Sequence, residues 1–268
     1  MGEKRVPITD EQRKLSYAKY YDKPLAPIPE EKLVYLENPI DPSQALKIQD
    51  RNLLFEPGYF EKEIGYCQME DGSTYVANLT KMPGVTVEMF DWWFAWHGLG
   101  ELRYTLWDPF DHHYAISTSQ VQGRCKKLSL KQRYYDTTHI IKEDIGGGPA
   151  KIYANFRDPK EMGFKAELIG TPACGTIVTA NCGTYDWPGA AAQVMCHFVR
   201  EIEGGIELRT RFWTGWNILG GEPVLLLDEG VKQPVEAAWG LLAHNMREFA
   251  NLAELLPMIY PEEKDNWD

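Results

Sequence analysis

The sequence predicts an α+β fold of the helix-grip kind: a curved antiparallel sheet closed around one long C-terminal helix, preceded by an N-terminal extension. Three observations carry this expectation. Gln233 to Pro257 reads as a single long helix. Five extended runs follow one another between Lys151 and Thr214 with no clear helical pattern between them. The stretch from residue 1 to 82 holds seven prolines and little sustained periodicity.

In chain order, that stretch reads as a wrapping segment whose Tyr17, Tyr20, Tyr21, Phe55, Tyr59 and Phe60 argue against disorder. It is expected to pack on the main domain or on a second subunit, and residues 83–268 are expected to form the main domain. After Pro83-Gly84, the aromatic run Glu88–His97 suits a short buried helix. Its tryptophans belong to a core or line a pocket for a planar ligand. Arg103 to Trp107 alternates as a strand would, and Asp108-Pro109-Phe110-Asp111 breaks it before His112 and His113. Lys131 to Lys142 is expected to be another strand. Gly146-Gly147-Gly148 lacks the spacing of a phosphate-binding loop and reads as a turn.

The five extended runs are Lys151–Phe156, Ala166–Ile169, Thr176–Asn181, Gln193–Ile202 and Ile206–Thr214, the last two joined by the hairpin signal Glu203-Gly204-Gly205. In the final helix Pro234 suits the first turn and Pro257 marks a stop. At 100° per residue Glu236, Arg247 and Glu254 form a narrow polar stripe, and Trp239, Leu241, Leu242, Met246, Phe249, Leu252 and Leu255 cover the rest.

Composition narrows the function. With 28 basic and 39 acidic residues the net charge is −11, which argues against nucleic acid or an anionic membrane as partner and in favour of a small molecule. Neither a membrane span nor a signal core is expected. Five cysteines without a Cys-x-x-Cys pair fit free thiols in a reducing, cytoplasmic setting. Cys196 adjoins His197, but neighbours on a strand face opposite ways, so a Cys/His nucleophile is not expected.

His244 and Glu248 stand four apart on the apolar helix, on the face of Leu241, Leu252 and Leu255. A buried carboxylate must be paired, neutralised or bound to a cation. The pair is therefore either an internal ion pair or half of a divalent metal site. His112 or His113, His139, Glu143 and His197 are the strand-associated groups able to complete such a site.

Asp91-Trp92-Trp93-Phe94-Ala95-Trp96-His97, Arg103-Tyr104-Thr105-Leu106-Trp107-Asp108-Pro109 with His112, Glu143-Asp144-Ile145-Gly146 and His244-x-x-x-Glu248 together resemble the diacetylphloroglucinol hydrolase and phloretin hydrolase family, from about Pro83 to Leu256. The resemblance implies a Bet v 1-like helix-grip fold with an N-terminal dimerisation region, hence a homodimer. It implies one Zn2+ per chain, with Fe2+ or Mn2+ as substitutes, held by His112, Glu143, His244 and Glu248. The activity implied is cleavage of the carbon–carbon bond between a phenolic ring and an acyl group, with an acylated phenol as the small-molecule partner. Tyr104 and His197 match the family's residues near the substrate and are the catalytic candidates, either of them as general acid, and Trp93, His97, Ala115, Phe212 and Trp213 are further pocket candidates. Two positions depart from the family pattern: Ala115 replaces a substrate-binding asparagine, and Phe212-Trp213 stands where a second tyrosine is expected. These argue against diacetylphloroglucinol itself while leaving the chemistry intact. A ligand carrier without catalysis and a metal-dependent lyase or decarboxylase are the rival readings.

Overall fold

The computed structural model describes residues 4–184 and 192–268. Ten strands are seen there: β1 (Gly65–Gln68), β2 (Thr74–Pro83), β3 (His112–Ser117), β4 (Thr138–Glu143), β5 (Ala150–Arg157), β6 (Thr176–Thr184), β7 (Gln193–Ile202), β8 (Gly205–Thr214), β9 (Trp216–Leu219) and β10 (Glu222–Leu225). The helices are α1 (Glu30–Leu33), α2 (Val87–Trp96), α3 (Glu101–Thr105), α4 (Gln120–Arg124), α5 (Leu130–Tyr134) and α6 (Val235–Glu263). Eight strands form one antiparallel sheet in the order β1-β2-β8-β7-β6-β5-β4-β3, and β9 and β10 make a separate pair. The expected helix-grip architecture is therefore present, with α6 packed against β1 and β2. Gly204, at φ +76°, turns the chain between β7 and β8, where a side chain would be strained.

Both faces of the sheet are covered. Inward residues of the middle strands, such as Ala154, Phe156, Val178, Ala180 and Leu208, join α2 and α6 in the main core. Outward residues, among them Tyr75, Val194, Cys196, Phe198 and Trp213, pack under Leu46, Ile48, Leu54 and Phe55 of the N-terminal stretch. Strands buried on both sides lose the polar and apolar alternation of an exposed sheet.

The N-terminal stretch wraps the domain, as expected. Tyr17 packs edge-on against Trp96 with ring centroids 5.0 Å apart, and the Tyr20 hydroxyl reaches the Met258 carbonyl at 3.0 Å. The boundary at residue 82 is corrected: β1 and β2 belong to the main sheet, with all ten residues of β2 in register with β8, so the wrapping segment ends before Gly65.

Four local readings are also corrected. Arg103–Trp107 is helical in its first part, not a strand; residues 102 to 107 are all buried, so their alternation carried no information about facing. Lys131–Lys142 divides into α5 and β4, because Ser129 and Gln132 form a reciprocal capping box that starts a helix. Residues 166–168 form a short 3-10 turn.

The fourth correction concerns Pro257, which does not stop α6; the helix runs through both Pro257 and Pro261 to Glu263. Each proline costs about 3 kcal/mol in a helix interior. Buried Leu256 and Ile259, and Tyr260 edge-on to Trp92 at 5.3 Å, offset that loss through packing. Trp239 is 42% exposed, whereas Arg247, assigned to the polar stripe, is buried.

Candidate metal centre

His112 opens β3 and pairs directly with Glu143, the last residue of β4. A register shift between His112 and Tyr114 marks a bulge. Ala115 and Ser117 face inward, so strict alternation would have turned His113 into the core; the bulge turns His112 inward instead. His112 is fully buried and His113 is not. Across from this strand pair, α6 presents His244 and Glu248 one turn apart.

The four side chains converge. His112 Nε2 lies 3.2 Å from His244 Nε2, 3.7 Å from Glu248 Oε2 and 3.8 Å from Glu143 Oε2. His244 Nε2 lies 3.9 Å from Glu248 Oε2. A tetrahedral ion with bonds of about 2.0–2.1 Å sets its ligand atoms about 3.3–3.5 Å apart. These separations are of that size for His112, His244 and Glu248, which form one metal-sized group; Glu143 adjoins it through His112.

The tautomers point the same way. His112 Nδ1 faces the Tyr104 carbonyl at 3.3 Å, and His244 Nδ1 faces Asp111 Oδ2 at 3.2 Å. Both partners are acceptors, so each Nδ1 carries a proton and the two Nε2 atoms face each other at 3.2 Å. The position between them takes one cation: the proton of the raised His244 ring, or a metal ion in its place. The donor set of two neutral imidazoles and two carboxylates carries a formal charge of two negative units, which a divalent ion neutralises.

Electrostatics agree with this. Burial, with the His244 charge beside it, pushes His112 well below its usual value. Burial pushes Glu248 up to about 8, and neighbouring Glu143 adds to that shift; burial likewise raises Glu143. For His244, burial acts downward, but Asp111, Glu248 and Glu143 outweigh it and lift the ring to about 9. The cluster favours positive charge at its centre. Asp108, Asp111 and His244 form a second buried group, yet Arg247 already bridges the two aspartates, with Nε 2.8 Å from Asp108 Oδ2. That group supports His244 from behind.

Beside the four donors a cavity of about 80 Å³ lies between the sheet and α6. Its apolar walls include Phe94, Trp107, Phe156, Phe212 and Leu241, and its polar ones Tyr104, His97 and His197. Two wider grooves, of about 720 and 640 Å³, open elsewhere and contain none of these groups. Tyr104 stacks on His112 at 4.0 Å, its hydroxyl donating to Glu143. Burial and the nearby Glu143 and Glu248 hold that phenol well above its ordinary range. His197 is fixed through Nδ1 to the Thr210 hydroxyl at 3.0 Å, and burial lowers it to about 3.

Tyr104, His97, His197 and Phe212 thus line one cavity with Glu143, His244 and Glu248, while His112 reaches His244 from outside that lining. Trp93, Ala115 and Trp213 do not line it. Trp93 stays within the aromatic core, against Trp96 and Trp107. Ala115 is buried in the core beside β4. Trp213 alternates with Phe212 and points to the outer face, where its indole N–H reaches the Leu46 carbonyl at 2.7 Å. His139, weighed as a ligand, sits instead against His97 and Phe156. Cys196 faces the outer core while His197 faces the cavity, as strand alternation expects.

Sequence reasoning missed Asp108, Asp111, Arg247, Asn245 and Asn78, all of which hold ligands or their neighbours. A signal existed. Arg247 is three residues from His244 on a helix that is mostly buried, and a buried guanidinium requires carboxylates, which the Asp108-Pro109-Phe110-Asp111 break supplies.

Comparison with known proteins gives the following. The family described as DAPG hydrolase PhiG domain matches residues 46–261. Phloretin hydrolase of Eubacterium ramulus is 39% identical over 267 residues, covering 98% of this chain and 96% of that protein. A 2,4-diacetylphloroglucinol hydrolase of Pseudomonas sp is 32% identical over 239 residues, covering 85% of this chain and 79% of that protein. Of solved structures, Ara h 8.0201 aligns with a TM-score of 0.43 at 6% identity, over 69% of this chain and 98% of its own. Ginseng major latex-like protein 151 from Panax ginseng aligns at 0.39 and 13% identity, over 68% and 99% respectively.

Proposed function

The chain belongs to the DAPG hydrolase family, and from that premise we propose that it is a metal-dependent hydrolase of acylated phenols, cleaving the carbon–carbon bond between ring and acyl group. The observation that carries this reading is the meeting of His112, His244 and Glu248, with Glu143 3.8 Å from His112, beside an aromatic cavity that Glu143, His244 and Glu248 line, both Nδ1 atoms being engaged by acceptors. These four residues would hold a divalent ion, for which we favour zinc at one per chain over iron or manganese, and it would supply Lewis-acid activation of the acyl carbonyl and of water.

The protein's own groups do the rest. Net reaction adds hydroxide to the acyl carbon and a proton to the ring carbon, giving a carboxylic acid and a phenol. Tyr104 carries its proton at the cavity wall beside Glu143, and it is by this position that we assign it to protonate the ring carbon as the bond breaks. His197 is neutral and anchored to Thr210, which suits it to orient a phenolic hydroxyl. Phe94, Phe156 and Phe212 exclude water and hold the ring.

Among relatives, the higher identity to phloretin hydrolase, with Phe212 rather than a tyrosine in the cavity, supports a phloretin-like aryl ketone over 2,4-diacetylphloroglucinol. The same reading includes a cytoplasmic homodimer. The free cysteines among the described residues fit a reducing compartment, and among those residues no helix is long and apolar enough to cross a membrane.

The test is metal content by mass spectrometry with product analysis on aryl ketones, comparing wild type with the His244→Ala/Glu248→Ala double variant. About one zinc per chain, lost together with C–C cleavage in the variant, is the expected result. Full activity in the variant, or no metal uptake by wild type, overturns the reading, and the latter favours a ligand carrier.

A further inference from the structure

We infer that Lys32, on the N-terminal wrapping segment, is a positioning residue for Glu248, acting through Asn78 and Asn245. The inference rests on the metal-site reading above and extends it to a residue outside the 46–261 stretch that matches the family.

The geometry is a chain of hydrogen bonds running in one direction. Lys32 Nζ donates to Asn78 Oδ1 at 3.1 Å. Asn78 Nδ2 donates to Asn245 Oδ1 at 2.9 Å, and Asn245 Nδ2 donates to Glu248 Oε1 at 2.8 Å. Lys32 is held a second time by the Thr80 hydroxyl at 3.1 Å. Both asparagines are essentially fully buried, Asn78 on β2 and Asn245 on α6. The opening for Lys32 exists because β1 pairs with β2 only as far as Ala77, so α1 meets the free edge of β2 from residue 78 onward.

Only one orientation of the two amides satisfies this chain. A carboxylate accepts and does not donate, so Asn245 must turn its NH2 toward Glu248; that sets its oxygen toward Asn78, which in turn shows its own oxygen to the lysine. Flipping either amide would set donor against donor at the ammonium or acceptor against acceptor at the carboxylate. The ammonium at one end therefore fixes a donor at the other. The consequence falls on Glu248: Oε1 is engaged, and only Oε2 is left to face His112 and His244, at 3.7 and 3.9 Å. The relay selects one-oxygen coordination and aims it. Partners of this kind that hold a metal ligand typically change metal affinity by roughly 10–100-fold when removed.

The experiment titrates zinc into metal-free wild type, Lys32→Met, Lys32→Arg, Asn245→Ala and the Lys32→Met/Asn245→Ala double variant against a chromogenic chelator. Visible spectra of the cobalt-loaded forms are read alongside. Asn245→Ala is expected to weaken zinc by roughly 10–100-fold. Lys32→Met, one step further out, should lose about 5–10-fold, and Lys32→Arg should restore most of that, since a guanidinium can still donate to Asn78. In the double variant the lysine change should add nothing, and Lys32→Met and Asn245→Ala should each show the weaker cobalt bands of a higher coordination number, because Oε1 is freed. Lys32→Met within twofold of wild type with an unchanged cobalt spectrum, or losses that multiply in the double variant, overturn the relay. Glu248→Ala is the control. If it abolishes uptake while Lys32→Met does not weaken it, the relay alone is wrong; if wild type binds no zinc, the metal-site reading fails and the relay with it.

Discussion

Asp111→Asn tests the most direct prop of the centre. Asp111 is buried, and its Oδ2 accepts from His244 Nδ1 at 3.2 Å and from the Arg247 guanidinium. Burial alone would raise this carboxyl, but His244 and Arg247 hold it below the usual range, so it acts as a carboxylate serving two donors. The asparagine amide can accept on one side only and must turn its NH2 toward either His244 or Arg247. Losing a histidine's outer partner weakens metal binding by roughly 10–100-fold, about 1.4–2.7 kcal/mol. Because one acceptor survives, the lower end applies: about tenfold in zinc affinity. Arg247 keeps Asp108, so the metal-free protein should lose about 1–3 kcal/mol, the cost of one compromised buried hydrogen bond. Zinc competition gives the first quantity and urea unfolding of the metal-free protein the second. Asp108→Asn serves as the control, since among these side chains Asp108 touches Arg247 and not His244: it should cost similar stability and change zinc affinity less than threefold. Equal zinc affinities for Asp111→Asn and wild type, or equal losses in the two variants, would refute the assignment of Asp111 as the group that holds His244.

Tyr104→Phe should keep its zinc but lose roughly 10²–10⁴-fold in kcat on an aryl ketone, the usual worth of a positioned acid; steady-state rates at measured metal content decide it, and an unchanged kcat removes Tyr104 from that role. Glu63→Gln probes stability away from the centre. Glu63 Oε1 accepts from Arg209 Nη2 at 2.6 Å and Oε2 from Arg211, both arginines being buried. Its loss should cost about 3–5 kcal/mol in urea unfolding. Burial acts to raise this carboxyl, and the two arginines prevail and hold it below the ordinary glutamate value of about 4.3. A depressed carboxyl contributes its stability above that ordinary value and loses it as the pH falls through the folded one. The gap between wild type and variant should therefore be full at pH 7 and shrink on acidification below about 4. A gap that stays constant down to about pH 3.5 would show that the pair is not what holds this carboxyl ionised.

Much of the sheet was legible because its signals are local. The Glu203-Gly204-Gly205 punctuation and the flanking apolar runs place β7 and β8 to within a residue. The helical pair His244 and Glu248 was legible for a similar reason, since spacing by four needs only the helix itself. Burial on all sides hid other features. Where every residue from Leu102 to Trp107 is covered, periodicity has no solvent side to report, and a helix reads as a strand. The inward turn of His112 depends on a bulge that no pattern marks, and alternation alone would have favoured His113. Phe212 and Trp213 show the same limit in reverse: both are large and buried, so only the register of β8 against β2 and β7 decides which meets the cavity.

The wrapping segment was read as a separate unit because its prolines and short turns lack a period, yet its contacts fall on the parts of the domain that are locally weakest. The last turns of α6 contain Pro257 and Pro261, each without an N–H to give. The carbonyls so left without a helical donor are those of Ala253 and Pro257, and Tyr20 docks beside them, donating to the Met258 carbonyl and to Glu262. The outer face of the sheet carries the buried Arg209 and Arg211, and Glu63, just before β1, neutralises them. Among the described residues the edge of β2 beyond Ala77 has no strand beside it, and Lys32 reaches the Asn78 and Thr80 side chains there. At the sheet's outer face and at the edge of β2 the segment provides a polar partner that regular structure does not. A periodicity-based reading cannot see such a role, because what selects these residues is an unsatisfied group elsewhere in the chain. The wrapping segment is thereby joined to the sheet, the long helix and, through Asn78 and Asn245, to the carboxylate that faces the two histidines.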